Sequence, residues 1–365
     1  MRFLHTADWQ IGMKASGLGD AGARVRDERL EAGRRVVEEA RRRDVEFILV
    51  AGDLFEDNAV DRVLVQKVVD ILAAFAGPVF VIPGNHDPLV PGAVWDHPSW
   101  KSATNIHVLR EATPVEVPGG MLFACPALEK HSGRNPTAWI PAEQTGGIRI
   151  GLAHGTVEGV RQDEPDYPIP RDAAQRAGLD YLALGHWHSC VTYPGPEVAP
   201  QMAYSGTHES TKFGERDSGN VLIVEITASG SPPAVKLVRT GGLDWVTVKK
   251  EVREPGDLAA VREQIESLPN GGNTLVDAVV SGLLTAAERA ELEHIEQILN
   301  SRFLWGRLDA SDLRPSPEDE SWIGNLPAGI IRDAAVRLRD NPGASPEIAA
   351  RALMELYATA GEVSQ

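Results

Sequence analysis

The most informative segment of this chain reads Phe47-Ile48-Leu49-Val50-Ala51-Gly52-Asp53-Leu54-Phe55. Five apolar residues, several of them branched, precede a glycine, and this pattern predicts a strand buried in a parallel sheet. Asp53 follows at the carboxyl end of that strand. Open α/β sheets bind their ligands at this edge, so we predict that Asp53 belongs to a functional site.

Polar side chains follow four other apolar segments in the same way. Asp8 and Gln10 follow residues 1–6, Asn85, His86 and Asp87 follow 79–83, His154 follows 148–153, and His186 and His188 follow 181–184. Carboxylate, amide and imidazole donors without a thiolate suit manganese, iron, zinc or cobalt better than calcium. Two divalent ions that share a carboxylate lie roughly 3.5–4 Å apart and clamp a phosphoryl group. We therefore predict a two-metal site in which Asp53 is the bridging ligand.

The order of the predicted elements indicates the fold class. Strand–helix–strand alternation up to His86 predicts right-handed parallel crossovers. After a loop at 14–24, residues 26–43 are expected to form the first helix. Strands at 202–205, 220–226 and 234–239 are expected to close a second sheet. The prediction is an α/β fold, a sandwich of two sheets with helices outside, in four layers of the order αββα.

Three regions are expected along the chain. Residues 1–242 form the main domain, which ends near Gly241-Gly242. Residues 243–313 alternate strand and helix and form a small α+β domain without a His/Asp cluster. Residues 314–365 contain a linker rich in Pro, Ser and acidic residues, followed by two C-terminal helices. These helices either dock on their own domain or bind a partner.

Composition limits the functional classes. The formal net charge is −16, which is unfavourable for general binding to a polyanion such as DNA. Bound divalent metals or a basic partner would offset part of this charge. The chain has no apolar run of about 18 residues and no apolar signal-peptide core, so we expect a cytoplasmic protein without a membrane span. Its two cysteines, Cys125 and Cys190, indicate neither a disulfide framework nor a thiolate zinc site.

The polar motifs resemble those of the calcineurin-like metallophosphoesterases. The order Asp8-x-Gln10, Gly52-Asp53, Gly84-Asn85-His86-Asp87, His154 and Gly185-His186-x-His188 matches the family signature except at Gln10, where the family has a histidine. The resemblance implies the four-layer metallophosphoesterase sandwich over roughly residues 1–240.

Further motifs are similar to DNA repair exonucleases of the SbcD and Mre-eleven type, with the YhaO-like branch nearest. These motifs are His5-Thr6-Ala7-Asp8-Trp9, Gly52-Asp53-Leu54-Phe55, and Tyr204-Ser205-Gly206-Thr207 followed by Phe213-Gly214-Glu215. Residues 243–313 have the position of that family's DNA-capping domain. The final helices have the position at which the family binds the coiled-coil base of an SbcC or Rad-fifty ATPase.

The resemblance implies a role for each matching residue. The first metal would be bound by Asp8, Asp53 and His188, with Gln10 at the remaining position, and the second by Asp53, Asn85, His154 and His186. His86 would contact the phosphate and stabilise or protonate the leaving oxygen. Asp87 would orient His86, as carboxylates commonly do for functional imidazoles. A turn residue before Pro88 is the alternative interpretation of Asp87.

Two residues depart from the family pattern. Gln10 offers an amide oxygen, which is a weaker donor than imidazole, so the first metal is expected to bind less tightly or through a water. Glu56 stands where many archaeal members have a second histidine. This difference weakens any role for position 56 in placing DNA.

The implied activity is hydrolysis of phosphodiesters by metal-activated water, with two divalent ions as cofactors. Manganese is preferred, with magnesium, iron or zinc as alternatives. The leading hypothesis is a DNA exonuclease or endonuclease subunit in DNA repair, with DNA as substrate, a coiled-coil ATPase as partner and a homodimeric assembly. A phosphodiesterase or phosphatase acting on a small molecule or a phosphoprotein is the alternative, favoured by the acidic charge. A non-catalytic scaffold, suggested only by Gln10, is the third hypothesis.

Overall fold

The structure is a computed structural model that describes residues 1–142, 146–159, 166–194, 199–285, 288–316, 320–340 and 346–363. The chain divides into two compact units, Met1–Asp244 and Trp245–Gln365.

Two sheets form the framework of the first unit. The first sheet contains β1 (Arg2–Thr6), β2 (Phe47–Ala51), β3 (Val79–Ile82), β4 (Ile106–Val108), β11 (Asn220–Glu225) and β12 (Ala234–Arg239), in the spatial order β12-β11-β1-β2-β3-β4. The second sheet contains β5 (Pro114–Val117), β6 (Gly120–Cys125), β7 (Ile148–His154), β8 (Tyr181–Gly185), β9 (Val191–Pro194) and β10 (Pro200–Tyr204), in the order β5-β6-β7-β8-β10-β9. Strands β1 to β4 run parallel, and so do β6, β7, β8 and β10.

The central strand β2 is apolar throughout because both of its faces are buried. Phe47 and Leu49 lie in a core that also contains Ile150 of the second sheet. Ile48 and Val50 lie in a different core, on the side of the first sheet that the helices cover. Burial on both faces explains why the sequence of this strand shows no polar alternation.

Helices cover the outer faces of the two sheets. Helices α1 (Ala21–Arg42) and α2 (Arg62–Ala73) pack on the first sheet, where the short α3 (Ser99–Ser102) adds Trp100 to the same core. Helix α4 (Ala173–Arg176) packs on the second sheet. The layers are therefore helix, sheet, sheet and helix, and the predicted αββα sandwich is confirmed.

One part of the predicted topology is wrong. Residues 220–226 and 234–239 were expected in the second sheet, but β11 and β12 belong to the first. Strand β11 pairs antiparallel with β1, from Arg2 opposite Glu225 to His5 opposite Leu222, and β12 pairs with β11. Of the three predicted strands, only β10 extends the second sheet. An apolar pattern predicts that a strand is buried, but it does not identify the neighbouring strand.

The first helix begins at Ala21 rather than near residue 26. Ala21, Gly22 and Val25 are all buried. A Cβ atom on Gly22 would lie 2.8 Å from the carbonyl oxygen of Ala15, so only glycine permits this close approach. The helix therefore begins within the segment whose Gly and Ala content predicted a loop, and its first turn packs closely against the backbone of Ala15.

The second unit contains β13 (Asp244–Val252), α5 (Asp257–Ser267), β14 (Thr274–Leu284), α6 (Arg289–Arg302) and β15 (Trp305–Pro315). Its sheet has the order β13-β14-β15, and α5 and α6 share an apolar core with it. Helices α7 (Trp322–Asn325), α8 (Ile330–Asp340) and α9 (Pro346–Val363) form a smaller cluster around Ile323, Ala335 and Leu353.

We propose the division of this region into a capping domain at 243–313 and a linker with C-terminal helices at 314–365. Residues 317–319, 341–345 and 364–365 of that linker and tail lie outside the described part of the chain. Across the described ranges, no helix combines the length and the apolar character needed to cross a membrane.

A buried polar contact joins the two sheets. Nδ1 of His5 on β1 lies 3.1 Å from the hydroxyl of Tyr181 on β8, and its Nε2 lies 3.1 Å from the carbonyl oxygen of Leu184. The carbonyl only accepts, so Nε2 donates to Leu184 and Nδ1 accepts from the Tyr181 hydroxyl. Burial lowers the pKa of His5 to about 3, which keeps the ring neutral at neutral pH.

Replacing Tyr181 by Phe should lower the free energy of unfolding by about 1–3 kcal/mol, because Nδ1 of His5 would stay buried without a donor. Tyr193→Phe is the matched control, since that buried hydroxyl has no hydrogen-bond partner among the described residues. Urea unfolding of both variants at pH 7 measures the difference. Equal effects of the two substitutions would contradict the assigned contact.

Candidate active site

Asp53 lies in a strained turn at the carboxyl end of β2. Its φ of 50° falls in the left-handed region, which residues other than glycine rarely adopt. A Cβ atom on Gly84 would lie 2.1 Å from Oδ1 of Asp53, so this position requires glycine. Oδ1 accepts a hydrogen bond from the backbone N–H of His86 at 2.9 Å. The backbone therefore fixes one carboxylate oxygen, while the other, Oδ2, lies 3.3 Å from Nε2 of His154.

The side-chain oxygen of Asn85 contacts two imidazole rings. Its Oδ1 lies 2.9 Å from Nε2 of His154 and 2.9 Å from Nδ1 of His186. Ligand atoms of Asp53, His154 and His186 all lie within 4.8 Å of one another. These atoms are close enough for one cation to contact all of them.

When His154 is neutral, the polar atoms around its ring have too few hydrogens to form all of their hydrogen bonds. Nδ1 of His154 lies 2.8 Å from the carbonyl oxygen of Ala51 and donates to it. In the neutral ring, Nε2 then carries a lone pair that faces two acceptors, Oδ1 of Asn85 and Oδ2 of Asp53. A proton on Nε2, or a metal ion between these atoms, removes the repulsion. The residues therefore fit the divalent metals that mixed nitrogen and oxygen sets bind.

The carboxylate of Asp53 controls the protonation of His154. Burial alone would lower the pKa of His154, but the adjacent carboxylate raises it to about 9. Burial would likewise raise the pKa of Asp53, yet the contacts with His154 and His86 lower it to about 2. Without metal, the pair is an imidazolium and a carboxylate at neutral pH. A metal that binds His154 must therefore displace a proton.

Asp8 connects the end of β1 to the end of β8. Its carboxylate accepts from the backbone N–H of His186, at 3.0 Å to Oδ1 and 3.1 Å to Oδ2. Burial raises the pKa of Asp8 to about 6, although His154 and His188 act in the opposite direction. Burial also lowers the pKa of His186 to about 4.

A cavity of about 630 Å³ opens at this edge of the sandwich. Among the predicted site residues, its lining contains Gln10, Asp53, His86, His186 and His188. Asp8, Asn85 and His154 are buried and reach the site through the contacts with Asp53 and His186 given above. The structure thus brings the predicted metal ligands together at one edge.

Glu215 is a site residue to which the motif analysis assigned no role. Nδ1 of His188 lies 2.9 Å from Oε1 of Glu215 and 3.0 Å from Oγ1 of Thr211. A carboxylate only accepts, so Nδ1 carries the hydrogen and Nε2 keeps a lone pair for a cation. Metal-binding histidines usually donate their second N–H in this way. The Phe213-Gly214-Glu215 motif was the available signal, but it does not reveal that its glutamate contacts His188.

The role predicted for Asp87 is corrected by its contacts. Its Oδ1 accepts from the backbone N–H of Gly84 at 2.7 Å, and its Oδ2 accepts from that of Phe55 at 2.9 Å. Nδ1 of His86 instead donates to the backbone carbonyl of Glu56 at 2.9 Å. Asp87 therefore holds two turns together, which is the alternative stated for it, because two backbone amides occupy its oxygens.

The motif residues lie in a segment that matches a known family. The family model described as calcineurin-like phosphoesterase matches residues 1–190, which include the motif residues from Asp8 to His188. The uncharacterized metallophosphoesterase YhaO of Bacillus subtilis (strain 168) is 25% identical over 360 residues, covering 89% of this chain and 84% of that protein. The solved structure of TT1561 of Thermus thermophilus is 12% identical, with a TM-score of 0.41, and the match covers 66% of this chain and 98% of that one.

Metal affinity should rise about tenfold per pH unit between pH 6.5 and 8.5, because the ion competes with a proton for His154. The pKa of about 9 places this whole interval below the titration of the ring. Calorimetric titration with Mn²⁺ in buffers of different ionisation enthalpy measures both the affinity and the protons released. An affinity that is independent of pH in this interval would contradict the assigned imidazolium.

Glu215→Gln should weaken Mn²⁺ binding by about 10–100-fold, because an amide no longer fixes the tautomer of His188. Glu56→Gln is the matched control. Glu56 lines the same cavity, and its hydrogen bond with His86 is made by its backbone carbonyl. Metal titration of both variants gives the comparison, and equal losses would show that cavity charge rather than the His188 contact is responsible.

Proposed function

The chain belongs to the calcineurin-like phosphoesterase family, and on this basis we propose that it hydrolyses phosphodiesters at a two-metal centre, with DNA as its substrate. One observation carries the proposal. Asp53, Asn85, His154 and His186 converge beside an open cavity, and the lone pair on Nε2 of neutral His154 faces one oxygen of Asp53 and one of Asn85. A proton fills this position in the metal-free protein, and a divalent ion would replace it there.

We assign the metal ligands as the sequence suggests. Asp8, Asp53 and His188 would hold the first ion, with Gln10 as a weaker fourth donor, and Asp53, Asn85, His154 and His186 would hold the second. The contact from Glu215 to His188 supports the first set. The contact from the Ala51 carbonyl to His154 supports the second set. Manganese is the proposed metal.

Divalent ions at such a centre acidify a bound water and offset the charge of the phosphate. His86 acts beside them. Nδ1 of His86 donates a hydrogen bond to the Glu56 carbonyl. Its Nε2 is therefore the ring atom that can carry a proton to the leaving oxygen. The bond from the backbone N–H of His86 to Asp53 fixes the ring's position relative to the carboxylate.

The lining of the cavity supports a nucleic-acid substrate. It contains two lysines, Lys14 and Lys212, and two aromatic rings, Trp187 and Phe213. Lysines bind backbone phosphates, and aromatic rings stack on unpaired bases. A role in DNA repair, a coiled-coil ATPase partner and a homodimer belong to the same proposal and rest on the family resemblance of the motifs.

The net charge of −16 favours a second candidate, a phosphodiesterase or phosphatase for a small molecule or a phosphoprotein. An acidic protein repels DNA outside its local basic contacts. The same metal centre would serve this substrate class.

The test is Mn²⁺-dependent cleavage of end-labelled DNA by the full chain. Asp53→Asn should abolish both cleavage and metal loading. His86→Gln should lower the cleavage rate by about 10²–10⁴-fold with metal content unchanged, because it removes the proton donor alone. Asp57→Asn is the control, since this exposed carboxylate accepts from the N–H of Ala59 in its own turn. Hydrolysis of a nitrophenyl phosphodiester without DNA cleavage would exclude DNA and favour the second candidate.

A further inference from the structure

Arg29 places a guanidinium group in the interior of the first unit. The side chain projects from α1 and is 1% exposed. Its Nε donates to the carbonyl oxygen of Trp9 at 3.0 Å, and its Nη1 donates to those of Glu209 at 2.8 Å and Ser210 at 3.2 Å. Its Nη2 binds the carbonyl oxygens of Trp9 and, at 3.4 Å, Asp8. One buried cation thus binds the backbone of two segments that are distant in the sequence, a first segment at residues 8–10 and a second at residues 209–210.

The first of these segments carries Asp8 and Gln10. Both residues have left-handed backbone, with φ of 53° and 42°, a conformation that persists only when its surroundings enforce it. The N–H groups of Asp8 and Gln10 donate to the carbonyl oxygens of Gly52 and Asp53. The carbonyl oxygens of Asp8 and Trp9 bind Arg29. The strained segment is therefore held by the Asp53 turn through its donors and by Arg29 through its acceptors.

The second segment, Glu209 and Ser210, is connected to His188 through hydrogen bonds of the residues that follow it. Directly after Ser210, the backbone N–H of Thr211 donates to Oε2 of Glu215 at 2.9 Å, and its hydroxyl donates to Oε1. Glu215 in turn accepts from the ring of His188. The position of this histidine therefore depends on the segment that Arg29 binds.

Packing around Trp9 also holds both segments against α1. Its ring stacks on that of His208 at a centroid distance of 4.6 Å, and Nε2 of His208 donates to the carbonyl oxygen of Arg29 at 2.8 Å. A Cβ atom on Gly33 would lie 2.8 Å from the Trp9 ring, so α1 carries a glycine where the indole packs.

From these contacts we infer that Arg29 is a positioning residue for the half of the centre formed by Asp8, Gln10 and His188. The inference rests on the proposed two-metal function. A guanidinium suits the task because its donors form a rigid planar fork, whereas an ammonium is a single point with three rotating donors. The buried carboxylate of Glu209 offsets the charge of Arg29.

The other half of the centre has separate support. His154 is fixed by the carbonyl of Ala51, and Asn85 follows the turn that Asp87 holds. Neither contact involves a segment that Arg29 binds. Of this half, His186 does reach the first segment, because its backbone N–H donates to the carboxylate of Asp8. Loss of the guanidinium should therefore affect one ion much more than the other.

Mn²⁺ titration of the full chain tests this asymmetry in wild type, Arg29→Lys and Arg35→Lys. Wild type should bind two ions. Arg29→Lys should keep one site at nearly unchanged affinity and weaken the other by about 10–100-fold. Arg35→Lys is the matched control because Arg35 lies on the same helix and binds the Thr240 carbonyl and Glu28 rather than the backbone of either segment. Its contact with the second segment is an ion pair with the Glu209 carboxylate at 3.7 Å, and a lysine keeps that positive charge; the variant should resemble wild type. In the metal-free proteins, hydrogen exchange at the amides of Asp8 and Gln10 should be faster only in Arg29→Lys.

Each outcome decides between the possibilities. A wild type that binds fewer than two ions would contradict the two-metal proposal, and unchanged hydrogen exchange in Arg29→Lys would then overturn the positioning role independently. Two sites of wild-type affinity with unchanged exchange in Arg29→Lys would also overturn it. Equal weakening of both sites, or failure of Arg29→Lys to fold while Arg35→Lys folds, would make Arg29 a general stability element instead.

Discussion

The site depends on one buried charge, the carboxylate of Asp53. An ionised carboxylate without water costs several kcal/mol unless hydrogen bonds and a cation compensate it. The backbone of His86 satisfies one oxygen, and the imidazole of His154 faces the other. The glycine at position 84 leaves the space that the carboxylate needs. A positive partner, whether an imidazolium or a metal, is therefore required by the fold as well as by the chemistry.

The two halves of the proposed centre are built in different ways. Asn85, His154 and His186 come from neighbouring strand ends and contact one another directly. Asp8, Gln10 and His188 rely on a helix residue, Arg29, and a loop residue, Glu215. Gln10, the amide at the position where the family has a histidine, thus lies in the half whose geometry needs the more distant support. This combination leaves room for two ions of unequal affinity in one catalytic centre.

The sequence predicted the sandwich and the edge at which the polar residues lie because buried strands have distinctive apolar runs. It did not predict that β11 pairs with β1, since the apolar pattern of a strand does not identify the strand beside it in the sheet. The contacts of Arg29 and Glu215 were not predicted because they join distant parts of the chain: Glu209 lies 180 residues after Arg29, and Glu215 lies 27 residues after His188. Of the two interpretations of Asp87, its contacts support the turn residue, because its oxygens bind two backbone amides rather than the ring of His86 that the resemblance implied. The metal-binding roles of the candidate residues stay predictions.

The pairing of β1 with β11 has a consequence for how the protein is made. The amino group of Met1 donates to the carbonyl oxygen of Ile226, 225 residues away. On the ribosome, β1 emerges long before β11 and keeps one unpaired edge until β11 has been synthesised. Contacts of this sequence separation slow folding, and an open strand edge invites aggregation. A fragment that stops at residue 190, where the family match ends, would keep the motif histidines but leave that edge permanently exposed.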